Sequence, residues 1–140
     1  MIVIDASVAF KWLRSDDEKF HNVAALLLRE HIEGKNEIIV PNFLYVEVAN
    51  ALATKTNITQ AKMKEDLEFL FETRLKIYGL VDSDITLAAK MAKKYKTSVY
   101  DMLYAVVAKK NKCILYTADE NFVKKTGMRF VKHISEVGLN

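Results

Sequence analysis

The 140-residue chain predicts an α/β fold, a sandwich built on a mostly parallel sheet. Three observations carry this reading. Short β-branched runs alternate with stretches of helical apolar spacing. No hairpin turn signal joins one run to the next. The first run, Ile2-Val3-Ile4, lacks the polar alternation of a half-exposed strand and suits one buried on both faces.

Taken in order, Ile2–Ile4 leads through Asp5 into a short helix over Val8–Leu13. Ser15-Asp16-Asp17-Glu18 then marks a break and the acidic start of the next helix. Phe20, Val23, Ala24, Leu27, Leu28 and Ile32 keep helical spacing up to Gly34-Lys35-Asn36. Ile38–Val40 is a second buried strand, stopped by Pro41, and Asn42 is an N-cap candidate for a helix through Ala53. Thr59 can cap a fourth helix carrying Met63, Leu67, Leu70 and Phe71, and Ile77–Val81 reads as a short strand interrupted by Gly79. Asp82-Ser83-Asp84 opens another helix, and Ser98 opens one that is apolar almost all round, the mark of a buried helix. Cys113–Tyr116 and Met128–Val131 complete the strands, with a short helix after Asp119 between them. Crossovers between such parallel strands are expected to be right-handed.

A chain of this length fits one domain over residues 1–140, and a hydrophobic fraction of 51% excludes a disordered chain. No apolar run reaches the roughly 18–20 residues of a membrane span, and no signal peptide precedes the first strand, so no membrane partner and a cytoplasmic location are expected. The lone Cys113 reads as a small core hydrophobe. Phe69, Leu70, Phe71 and Tyr78 read as core, with a dimer contact as the alternative. The net charge of +3 is unevenly spread: residues 1–70 carry −3 and residues 71–140 carry +6. The basic half, with Lys109 and Lys110 as candidate RNA contacts, either grips a phosphate backbone or forms solvated helix faces.

Four carboxylates stand out of place. Asp5 and Asp119 each follow a buried strand, Glu47 has Phe43, Leu44, Asn50 and Ala51 as its helical neighbours, and Asp101 precedes Tyr104, Ala105 and Ala108. Each has a structural alternative: Asp5 or Ser7 and Asp119 as caps, Ser98–Asp101 as a capping box, Glu47 as an edge residue. Together they sit where a parallel sheet gathers its chemistry, at the carboxyl ends of its strands. Like charges collected there raise one another's pKa unless a cation joins them. With no His or Cys among them, oxygen ligation by Mg²⁺ or Mn²⁺ is expected rather than zinc. Such ions acidify a coordinated water and stabilise a leaving oxygen, so the chemistry implied is hydrolysis of a phosphate ester.

Four blocks resemble PIN-domain nucleases, VapC-type toxins in particular: V-I-D-A-S-V-A-F-K-W-L, P-x-x-x-x-x-E-V-A-N-A-L from Pro41, Y-D-M-L-Y-A-V-V-A from Tyr100, and L-Y-T-A-D-E-N-F from Leu115. They occur in family order and span nearly the whole chain. The resemblance implies a PIN-like α/β/α sandwich with a central, mostly parallel, five-stranded sheet, and Mg²⁺- or Mn²⁺-dependent endoribonuclease activity. By position, Asp5, Glu47, Asp101 and Asp119 match the family's catalytic and metal-binding acids, and Ser7, Asn50 and Thr117 match its supporting polar residues. It also implies a VapB-type antitoxin as partner and a homodimer or higher homo-oligomer. Two other phosphate chemistries fit poorly. A haloacid-dehalogenase-type phosphatase needs a second Asp where Ser7 stands, and a receiver domain needs an acidic pair where Asp5 meets Ala6. The remaining alternative is a non-catalytic PIN-like module that binds RNA or a protein.

Overall fold

A computed structural model of the chain, described over residues 1–14 and 19–138, contains one five-stranded, all-parallel sheet and seven α-helices. The strands are β1 (Ile2–Ile4), β2 (Ile38–Pro41), β3 (Lys76–Tyr78), β4 (Ile114–Thr117) and β5 (Val131–His133). Their order is β3-β2-β1-β4-β5, with Ile2 paired to Ile38 on one side and Ile114 on the other. The α/β/α sandwich expected from the sequence is the one formed. Central placement explains the composition of β1: Val3 and Ile4 are fully buried.

The chain lays down β1, β2 and β3 outward, then returns to place β4 and β5 on the other side of β1. The direction of winding therefore reverses between β1 and β4. In open parallel sheets the crevice outside the carboxyl ends at such a reversal is where ligands bind. The topology points at Asp5 and Asp119 before any side chain is considered.

The helices are α1 (Ala6–Leu13), α2 (His21–Ile32), α3 (Phe43–Lys55), α4 (Gln60–Glu72), α5 (Asp82–Tyr95), α6 (Val99–Lys110) and α7 (Glu120–Thr126). The helix α6 is buried continuously from Met102 to Ala108 and packs on β1, β2 and β4, with α5 covering it. Its apolar circumference follows from being enclosed on every side. Trp12 ties α1 to α2 by donating its indole N–H to the Ala24 carbonyl at 2.9 Å. His31 bridges three segments, with Nδ1 accepting from the Ile38 N–H at 3.1 Å and Nε2 lying 3.1 Å from the Thr73 carbonyl. The two contacts together fit the neutral ring with its proton on Nε2. Thr59 caps α4 as its sequence suggests, its hydroxyl accepting from the Lys62 N–H.

Several boundaries differ from the sequence reading, each for a local reason. The first helix begins at Ala6 because Asp5 caps it. Asn42 precedes α3 but makes no side-chain cap; its carbonyl takes the Tyr45 N–H instead. The third strand ends at Tyr78, and Val81 already serves as the N-cap of α5. Cys113 closes α6 by donating to the Ala108 carbonyl, so β4 starts one residue later. Met128–Val131 is a turn closed by the Val131 N–H on the Met128 carbonyl, and the strand follows it. Leu70 lies in the core, Tyr78 is half-buried, and Phe69 and Phe71 are exposed. The predicted break at Ser15–Glu18 falls outside the described residues. Among the described residues no helix is long and apolar enough to cross a membrane.

Truncating the fully buried Leu115 to Ala is expected to cost about 2–5 kcal/mol, and Thr59→Ala about 1 kcal/mol through the lost cap. Urea unfolding of the two variants beside the parent checks both figures.

Candidate active site

Asp5 ends β1 and stands in extended conformation as the N-cap of α1. Its Oδ1 accepts the Ser7 hydroxyl at 2.5 Å and the Val8 N–H at 3.2 Å, and its Oδ2 accepts the Thr117 hydroxyl at 2.5 Å. Thr117 is the last residue of β4, so this bond joins the two strands that flank the reversal. The same hydroxyls act as acceptors: Ser7 Oγ takes the Ala118 N–H and Thr117 Oγ1 the Asp119 N–H, each at 3.0 Å. Two small residues thus lock the ends of β1 and β4 together through one carboxylate.

The other acids arrive from separate elements. Asp119 caps α7, its Oδ1 accepting from the Phe122 N–H at 3.0 Å. Asp101 lies in the first turn of α6, its own N–H held by the Ser98 hydroxyl. Glu47 sits mid-helix on α3, with Oε1 buried and without a hydrogen-bond partner. All four line a single cavity of about 390 Å³, which Ala6, Phe10 and Ala51 line with apolar surface.

Burial pushes Asp5 up to about 6 against the pull of its hydrogen bonds, with Asp101 adding a smaller repulsion. Burial also raises Glu47 to about 7, and here Asp101 and Asp5 contribute next. Asp101 is raised by burial, partly offset by Ser98, and by the Asp119 charge. Beneath them Tyr104 is fully buried and its hydroxyl, near Glu47 and the Ala6 backbone, lacks a hydrogen bond of normal geometry. Burial and the surrounding acids hold that phenol well above its ordinary range.

An oxygen-only set of mutually repelling carboxylates, one with an orphaned buried oxygen, fits a hard divalent cation in donor type and in charge. Among the described residues no three acids already converge on one point, so the arrangement is a set of ligands rather than a closed cage. Of the supporting residues read from sequence, Ser7 and Thr117 contact Asp5, whereas Asn50 is exposed and lies off the cavity. Neither Lys109 nor Lys110 lines the cavity; they end α6, eight or nine residues beyond Asp101 and about 12 Å or more along its axis. Lys110 is engaged instead by the buried carboxylate of Asp84 from α5.

The sequence reading missed Lys11 and Lys55, which line the acidic cavity, and Tyr104 beneath it. Lys11 carried a signal, as a lysine set among Val8, Ala9, Phe10, Trp12 and Leu13. Lys55 follows Glu47 and Ala51 at successive i+4 steps, and so shares their side of α3.

The PIN domain family profile matches residues 2–127. The chain belongs to the PIN domain family. PIN domains are in general nucleases that use a divalent metal ion. No curated protein sequence matches the chain. Among solved structures, PAE2754 from Pyrobaculum aerophilum has the same fold at a TM-score of 0.70 and 19% identity, over 97% of this chain and 92% of that one. VapC20 of Mycobacterium tuberculosis, a sarcin-ricin-loop-cleaving toxin, aligns at a TM-score of 0.66 and 14% identity, over 89% of this PIN domain and 94% of the toxin.

In metal-free buffer the raised carboxyls make the folded PIN domain bind more protons than the unfolded chain between about pH 4 and 7. Their contribution is therefore fully present in acid and is lost as pH rises through 6 and 7. Asp5 alone is expected to remove roughly 3 kcal/mol across that window. Urea unfolding at pH 5 and pH 8 should show the fall in the parent and a shallower one in Asp5→Asn.

Proposed function

We propose that this PIN domain is a metal-dependent endoribonuclease that hydrolyses RNA phosphodiesters, acting as the toxin of a VapBC-type pair. The observation that carries the reading is the cavity into which four separate elements deliver Asp5, Glu47, Asp101 and Asp119. Family membership supports nuclease chemistry, and the likeness to VapC20 supports RNA as substrate and a VapB-type antitoxin as partner. Exposed Phe69 and Phe71 offer apolar surface for that partner or for a second copy of the chain.

In this reading Asp5, Asp101 and Asp119 hold Mg²⁺ or Mn²⁺, with Glu47 completing the set. When bound, such an ion lowers the pKa of water and stabilises the leaving oxygen. The chain's own residues do the positioning. Ser7 and Thr117 fix the Asp5 carboxylate by donating to one oxygen each; the Val8 N–H takes the second lone pair of Oδ1, and Oδ2 keeps a further one for a cation. Glu47 is raised to about 7 in the metal-free protein by burial and by Asp101 and Asp5, and a cation held by those acids would draw it back to the ionised form that ligates. Lys55, at the rim, can meet a flanking phosphate.

Two measurements test this. With Mn²⁺, purified protein should cut mixed RNA, and Asp5→Asn or Asp101→Asn should slow cleavage by about 10²-fold or more, in line with removing one electrostatic partner of a transition state. Equal rates in parent and variants would sink the site. In thermal melts, Mn²⁺ at 100 times its dissociation constant should stabilise the parent by roughly 2.7 kcal/mol and the variants by less. A metal shift without cleavage would favour the binding module.

A further inference from the structure

The basic half of the chain acquires a location in the fold. Lys109 and Lys112, at the end of α6 and in the turn after it, converge with Arg129 and Lys132, from the approach to β5 and from β5 itself. They surround a cavity of about 400 Å³ that Ile114 and Phe130 line with apolar surface, and no carboxylate lines it. Lys109, Lys112 and Arg129 are exposed and make no ion pair with any described residue. Their neighbour Lys110 is different, since Asp84 neutralises it. The fold has therefore sorted a basic run into one structural lysine and a set of uncompensated cations drawn from two distant segments.

We propose that this cavity is a second anion site, which holds the phosphate backbone of the RNA away from the point of cleavage. The inference rests on the reading of RNA as substrate. Two arguments give the occupant. The first is charge: without a cation the acidic cavity repels a phosphodiester, and only Lys11 and Lys55 oppose that along its lining, so in the metal-free protein the attraction comes from elsewhere on the surface. The second is place. Ile114, the first residue of β4, lines the basic cavity, and Ala118, just past its end, lines the acidic one. The two openings lie at opposite ends of one strand of about 13 Å, so an RNA that reaches both passes around the outside of the sheet over at least that length. The Phe130 ring among the cations also suits a base stacked beside its phosphate, a feature an acidic polypeptide would leave unused.

The test is fluorescence anisotropy with a labelled single-stranded RNA of about 12 nucleotides, in EDTA so that nothing is cut. Lys109→Ala/Lys112→Ala/Arg129→Ala is expected to weaken binding at least about tenfold at low salt. It should also reduce the slope of log affinity against log salt by about 2, because each single-strand phosphate that the protein neutralises contributes about 0.7. The control Lys90→Ala/Lys93→Ala/Lys124→Ala removes the same charge from α5 and α7 and should bind as the parent does. The cavity variant should still cut a trinucleotide at the parent rate with Mn²⁺, whereas Asp5→Asn should keep RNA binding and lose cleavage. Equal weakening in both triple variants would overturn the site in favour of net charge alone. Unchanged binding in the cavity variant would overturn it outright, and displacement of the RNA by polyglutamate at matched charge would reassign the cavity to an acidic protein. Cavity-dependent binding in a protein that never cuts RNA would uphold the site and sink the nuclease reading instead.

Discussion

The Asp5 carboxylate, held between the ends of β1 and β4, is the constraint on which the rest of the site depends. It accepts three hydrogen bonds, one from the backbone of its own helix, one from Ser7 and one from Thr117, 112 residues further along the chain. A carboxylate buried to this depth is costly unless its oxygens are engaged. The Ser7 and Thr117 hydroxyls meet that need, and because they also accept from Ala118 and Asp119 they fix the chain beyond β4. Asp119 is thereby placed by the same network that holds Asp5. Removing Thr117 would loosen two acids, not one.

Capping and chemistry are not competing explanations here. Asp5 and Asp119 both cap helices, and Ser98 caps the one that carries Asp101. A cap fixes a carboxylate at a helix N-terminus, where backbone N–H groups favour negative charge. In a parallel sheet, helix N-termini lie at the carboxyl ends of the strands, so capping acids are delivered to one edge by topology. What separates a site from three ordinary caps is the reversal of winding between β1 and β4, and Glu47 entering from α3, where nothing requires a cap.

Much of this was legible in the sequence because it is local. A β-branched run with no alternation, followed by Asp and small residues, specifies a buried strand and its cap within eight residues. The misread boundaries also have local causes, but ones that depend on hydrogen bonds rather than on residue type: the Val131-to-Met128 turn shifts β5, and the Cys113-to-Ala108 bond moves the start of β4 by one residue. Side-chain orientation was the harder part. Lys55 reaches the cavity, and Tyr104 lies beneath it, through the rotation of α3 and α6 about their axes, which apolar spacing constrains only to a broad face. Lys110 could not be sorted from Lys109 by inspection, since its partner Asp84 belongs to another helix.

The separation of charge along α6 is the feature that composition hides most completely. A net charge of +3 suggests a mildly basic molecule, yet Asp101 opens this helix in the acidic cavity and Lys109 ends it at the basic one. Each placement agrees with the helix dipole, so neither conflicts with folding. Merging the two in one place would have cancelled both, pairing the lysines with the acids and leaving neither a cation site nor an anion site. Seven consecutive buried residues, Met102 to Ala108, keep them apart, and the apolar middle of α6 is therefore as much a part of the site's electrostatics as the charges at its ends.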